Sequence, residues 1–123
     1  MALRSLVAVV DDDESVRESL PDLLRALGFS AQGFSSAEEF LASDLVSQTD
    51  CLVLDVAMPG MSGPALQREL MLRNQEIPIV FITAHESESI RSRLLGEGAV
   101  ECLFKPFSEA ALLDAVQAAL RMS

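Results

Sequence analysis

Five short apolar runs, each followed by a stretch with helical spacing, limit what this chain can fold into more than any other feature. The runs are "LVAVV" (6–10), "SAQGF" (30–34), "CLVLD" (51–55), "PIVFIT" (78–83) and "VECLF" (100–104), the second being the weakest. A strand covered by helices on both faces has no wet side, so it is written as a near-continuous apolar run rather than an alternating one. Helical segments fill the intervals: "ESVRESLPDLLRAL" stopped by Gly28, a short helix to about Ala42, one from about Gly63 to Arg73, one from about Ser87 to Leu95, and "EAALLDAVQAALRM" capped by Ser108. Ser35 and Ser36 followed by Glu38 and Glu39 form a capping-box signature for the short helix.

Strict alternation of strand and helix predicts a parallel sheet covered on both faces. With right-handed crossovers this is a doubly wound α/β sheet of five strands, flavodoxin-like, and the order 2-1-3-4-5 is adopted from known flavodoxin-like sheets. The 123 residues make one domain, 1–123, half hydrophobic and 23% charged, which excludes a disordered chain. In that order the third and fifth strands stand two spacings apart, too far for a Cys51–Cys102 bridge, and both thiols are expected to be small buried hydrophobes. Pro21, well inside the first helix, predicts a bend or an irregular first half. The chain carries 19 acidic residues against 9 Lys and Arg, and such a surface is repelled by nucleic acid and anionic lipid. No apolar run approaches the ~18 residues of a membrane span. "MALRSLVAVVDDD" turns acidic too soon for a signal peptide, so the expected location is the cytoplasm.

In a parallel sheet the functional groups collect at the carboxyl ends of the strands. Those positions hold Asp11 and Asp12, then Asp55, Thr83 and Lys105. Three adjacent aspartates alone are a helix N-terminus signal, and Asp13 and Glu14 keep that reading. The separate arrival of Asp55 changes it for Asp11 and Asp12, because three carboxylates in one pocket call for a hard dication. Oxygen donors suit Mg²⁺, with Mn²⁺ as the second choice, better than zinc, and His85 is the single histidine. Such an ion, an ammonium and a hydroxyl are equipment for phosphoryl oxygens, and a carboxylate can itself take the group as an aspartyl phosphate. Asp55 is placed for that.

"VVDDDE", "LDVAMPGMSG", "ITA", "GA" and "FKPF" follow one another over nearly the whole chain. In that order and spacing the sequence resembles a two-component response-regulator receiver domain of the CheY-like superfamily, closest in wording to FixJ-like receivers. The resemblance implies that Asp55 accepts a phosphoryl group from the phosphohistidine of a sensor histidine kinase or phosphotransfer protein. It implies metal ligation by Asp12, by Asp11 directly or through water, by Asp55, and by the backbone carbonyl of Ala57. Thr83, with Ala84 beside it, would bind the phosphoryl group, Lys105 would pair with it, and the Lys105–Pro106 bond would be cis. The implied output is a switch of the face made by the fourth helix, fifth strand and fifth helix, with a phosphorylation-linked homodimer as one form. DNA would be met only through a separate effector domain, in control of transcription.

Ala57 and His85 occupy the positions that flank the hydrolytic water in this family, and we expect them to set the lifetime of the phosphorylated state. Cys102 departs from the pattern: the family usually has an aromatic residue there that turns inward with the threonine, and a cysteine is too small to do so. Phe104 lies on the same side of the strand by period two. An aspartate-nucleophile phosphatase would carry a second aspartate two residues past the nucleophile, where this chain has Ala57, so a switch is expected rather than an enzyme. A vestigial protein-interaction module and a stand-alone phosphorelay shuttle remain as alternatives.

Overall fold

A computed structural model of the chain describes residues 4–121. Its strands are β1 (Leu6–Val10), β2 (Ser30–Phe34), β3 (Cys51–Asp55), β4 (Ile79–Thr83) and β5 (Glu101–Phe104). Between and after them lie α1 (Glu14–Ala26), α2 (Ala37–Ala42), α3 (Gly63–Leu72), α4 (Glu88–Gly96) and α5 (Glu109–Arg121). Met122, predicted as the end of the last helix, lies outside the described residues. All neighbouring strands run parallel, in the order β2-β1-β3-β4-β5. The predicted flavodoxin-like sheet is the one found.

Every residue of β3 and β4 is buried, as their uninterrupted apolar writing requires. Side chains alternate between two cores. One face packs Ala8, Leu52, Leu54 and Phe81 against Phe40 of α2, Leu66 and Leu70 of α3 and Leu94 of α4. The other packs Val7, Val9, Val53 and Ile82 against Leu20 and Leu24 of α1 and Leu112 and Val116 of α5. Cys51 and Cys102 are free and buried, with β4 between their strands, so the absence of a bridge is confirmed.

α1 is helical from Glu14 through Ala26 with Pro21 inside it, so of the predicted bend or irregular first half the second is not found. Pro21 has no N–H to offer the Arg17 carbonyl, and its ring is buried rather than pushed into solvent. The strand β2 accommodates that carbonyl with Gly33: a Cβ there would stand 2.9 Å from the Arg17 oxygen and 3.5 Å from the Pro21 ring. The segment before β3 contains a 3-10 turn at Val46–Gln48. Thr49 closes it by donating its hydroxyl to the Leu45 carbonyl at 2.8 Å.

Candidate functional site

β1 and β3 are neighbours, so Asp11, just past one strand, and Asp55, the last residue of the other, arrive side by side. Asp11 is fully buried and Asp55 is 6% exposed, while Asp12 is exposed at the mouth. One carboxylate oxygen from each of Asp11, Asp12 and Asp55 can be chosen so that all three lie within 4.8 Å of one another. Lys105, following β5, reaches across the sheet edge: its Nζ donates to Asp11 Oδ2 at 2.8 Å and stands 3.9 Å from Asp55 Oδ1. Asp11 Oδ1 accepts from the Asp13 N–H at 2.8 Å. Asp13 caps α1 as expected, accepting from the Ser15 N–H at 3.0 Å and from its hydroxyl at 2.9 Å.

These contacts leave more negative charge than one ammonium balances. Burial, then the charge of Asp11, push the Asp55 carboxyl up from 3.8 to about 7, against the opposing pull of Lys105. A concave set of hard oxygen donors whose charge is under-compensated fits a divalent cation of the Mg²⁺ class. The two thiols are buried within strands β3 and β5 and Cys51 is pushed up to about 12 by burial, so the donor set is all oxygen.

The loop after β3 is held in two ways that the sequence did not announce. The Gly63 N–H donates to the Val56 carbonyl at 3.0 Å, closing the loop on itself. The Met61 N–H donates to Glu38 Oε2 at 3.1 Å, so α2 steadies a loop 23 residues away. Glu38 and Glu39 divide the labour expected of the capping box: Glu39 accepts from the Ser35 hydroxyl at 2.6 Å and takes its amide to the Ser36 cap, while Glu38 points to the loop. Gly63 serves a need beyond turn formation, because a Cβ there would collide with the Asp55 carbonyl and lie 3.0 Å from the Phe81 ring. Ala57, within this loop, is exposed.

Thr83 ends β4 beside Asp55 and is 4% exposed. Its Oγ1 accepts from the His85 N–H at 3.0 Å, and Ala84 and His85 are exposed in the loop that follows. Phe104 stands opposite Thr83 in the register and packs on the same core as Cys102, which the period-two argument anticipated. Cys102 is buried, a small side chain at that core. The Lys105–Pro106 bond is cis, and Pro106 is exposed. Asp11, Asp12, Asp55, Thr83 and Lys105 thus gather at one edge of the sheet, while Cys102 lies within β5.

Residues 7–117 match the family described as the response regulator receiver domain. The chain belongs to that family. It is 47% identical over 116 residues to nodulation protein W of Bradyrhizobium diazoefficiens, covering 94% of this chain and 51% of that protein. The solved response regulator StyR superposes with a TM-score of 0.88 at 50% identity, over 97% of this chain and 60% of that one. FixJ-N does so with a TM-score of 0.88 at 34% identity, over 99% of this receiver and 98% of its own chain. The receiver spans about half the length of the curated relatives it matches. No described helix is long and apolar enough to cross a membrane.

Proposed function

We propose that the receiver is a phosphorylation-driven switch in which Asp55 is the acceptor. The observation that carries this reading is the meeting of Asp11, Asp12, Asp55 and Lys105 at one sheet edge, with Thr83 at the next strand end. The donor is a phosphohistidine on a sensor kinase or phosphotransfer protein. A carboxylate oxygen of Asp55 attacks phosphorus, the phosphorus–nitrogen bond breaks, and the imidazole leaves with a proton.

Asp11, Asp12, Asp55 and the Ala57 carbonyl would hold Mg²⁺ or Mn²⁺, which when bound neutralises charge on the phosphoryl oxygens. Lys105 can exchange its short contact with Asp11 for a phosphoryl oxygen. Thr83, buried beside Asp55 with a hydroxyl proton to donate, completes the oxygen cradle. The exposed Ala57 and His85 leave space by which water reaches the acyl phosphate, and we assign them control of its lifetime.

The phosphorylated state then shifts the face formed by α4, β5 and α5 toward a form that binds differently, to a second copy of the receiver or to an effector. The FixJ-like likeness and the half-length match support an effector domain outside this chain that acts on transcription. This reading places the chain in the cytoplasm with its phosphodonor, as a switch and not a turnover enzyme. Intact-mass analysis after incubation with acetyl phosphate, with and without Mg²⁺, tests it beside Asp55→Ala. A single phosphoryl adduct that needs both the ion and Asp55 is expected. No adduct under any condition would leave a vestigial interaction module.

A further inference from the structure

The helix on the switching face is weakly embedded. α4 buries one residue fully, Leu94, whereas α3 buries Gly63, Leu66, Gln67 and Leu70, and α5 buries Leu112, Ala115, Val116 and Ala119. What α4 lacks in apolar anchorage it makes up with a polar clasp on β5, an edge strand of the sheet. Arg91 Nη2 donates to Glu101 Oε1 at 2.7 Å, and Arg91 Nε lies 3.4 Å from the Cys102 carbonyl oxygen. Glu101 Oε1 also accepts from the Cys102 N–H at 2.9 Å. Both backbone polar groups of Cys102 are therefore engaged by the pair, at the position where an aromatic residue is missing.

The same helix is tied to the site at its start. The His85 N–H is bound to Thr83 Oγ1, Ser87 caps α4 by accepting from the Ile90 N–H at 3.3 Å, and the Arg91 N–H donates to the Ser87 carbonyl at 3.0 Å. A displacement of Thr83 toward Asp55 therefore pulls on the first turn of α4, the turn from which Arg91 reaches out. The opposite end is tethered to α3, where Gln67 Nε2 donates to the Glu97 carbonyl at 3.4 Å. The Arg91–Glu101 pair is about a third exposed on each side, so it is accessible to water and of moderate strength.

Resting on the phospho-acceptor reading, we propose that the Arg91–Glu101 pair is a latch: it holds α4 on the edge of β5 in the unphosphorylated receiver, and its rupture frees α4 when Asp55 is phosphorylated. The latch supplies with charge a resting restraint on α4 that the small Cys102 side chain cannot supply by bulk. Arg91 and Glu101 are positioning residues, remote from the phosphoryl group, and neither is needed for the chemistry itself.

Hydrogen–deuterium exchange of peptides spanning 88–96 tests this on the receiver before and after treatment with acetyl phosphate and Mg²⁺, with intact mass reading the adduct. Arg91→Ala and Glu101→Gln should each speed exchange in the untreated chain by about 3- to 10-fold, the span expected for loss of a part-exposed charge-assisted pair. The double variant should exchange no faster than the faster single one, and Arg91→Lys should restore part of the protection. Phosphorylation should add little further exchange in the variants, and their initial phosphorylation rate should rise by a similar factor, which a passive tether would not produce. Wild-type exchange in the untreated single variants would overturn the latch. So would additive effects in the double variant, or a phosphorylation-induced increment as large as in wild type. Absence of the adduct in the wild-type receiver would instead overturn the phospho-acceptor reading and the rupture step, while exchange in the untreated chains still decides whether the pair holds α4.

Discussion

Replacing the phospho-acceptor should make the metal-free receiver more stable, not less. Asp55 has its carboxyl pushed up to about 7 from the ordinary 3.8, first by burial and then by Asp11. The native state therefore binds the proton more tightly than the unfolded chain does. The stability associated with the neutral carboxyl is fully present below pH 3.8 and is lost as pH rises through about 7. A shift of that size corresponds to at most ~4 kcal/mol at ~1.4 kcal/mol per pH unit, and access of water to the pocket mouth reduces this to roughly 1–2 kcal/mol. Asn has the shape of Asp and no charge, so Asp55→Asn should gain roughly 1–2 kcal/mol at pH 8 in EDTA. The gain should shrink as pH falls and vanish near pH 4. The chain has no Trp or Tyr, so urea unfolding is followed by far-UV circular dichroism. Millimolar Mg²⁺ should narrow the gap by stabilising wild type through binding to the native state alone. An Asp55→Asn variant no more stable than wild type at pH 8 in EDTA would refute the reasoning, and would mean that Lys105 alone balances the pocket.

Gly63→Ala should cost roughly 2 kcal/mol, since the new methyl must displace the Asp55 carbonyl or the Phe81 ring, and should weaken Mg²⁺ binding in a calorimetric titration. Asp13→Ala should lower the melting temperature at neutral pH. Bonds from the Ser15 hydroxyl and N–H hold the Asp13 carboxyl below its ordinary value, so the deficit should fade as pH falls through that depressed pKa. Ala57→Asn and His85→Ala should change the decay rate of the phosphorylated form, measured by intact mass after removal of the donor; unchanged decay in both would sink the lifetime assignment.

What could be read from the sequence was whatever repeats or ends abruptly. Continuous apolar runs betray strands buried on both faces, and strict alternation with helices gives a doubly wound parallel sheet, whereas the strand order came from the flavodoxin-like precedent. The carboxyl-end rule then placed Asp11, Asp55, Thr83 and Lys105 together without any contact being known. Pro21 is a complementary case. Its penalty is local and visible, whereas the room for the Arg17 carbonyl depends on Gly33 of β2, where a Cβ would stand 2.9 Å from that oxygen.

The roles that escaped notice share that property: their partners lie on other elements and their own segments already explain them. Glu38 sits where a helix start favours acid, and nothing local says that it reaches Met61. Arg91 and Glu101 read as ordinary surface charges on a helix and a strand, until the edge position of β5 brings them to 2.7 Å. Gly63 reads as the start of a helix, and only the packed structure shows the Asp55 carbonyl beneath it. The division has a physical basis. The reactive groups must stand at strand ends, where periodicity exposes them, but the groups that restrain motion around them can be drawn from any surface that the fold happens to bring near. Variation at Glu38, Arg91 and Glu101 can therefore tune the loop after β3 and the position of α4 while leaving the chemistry of Asp55 intact.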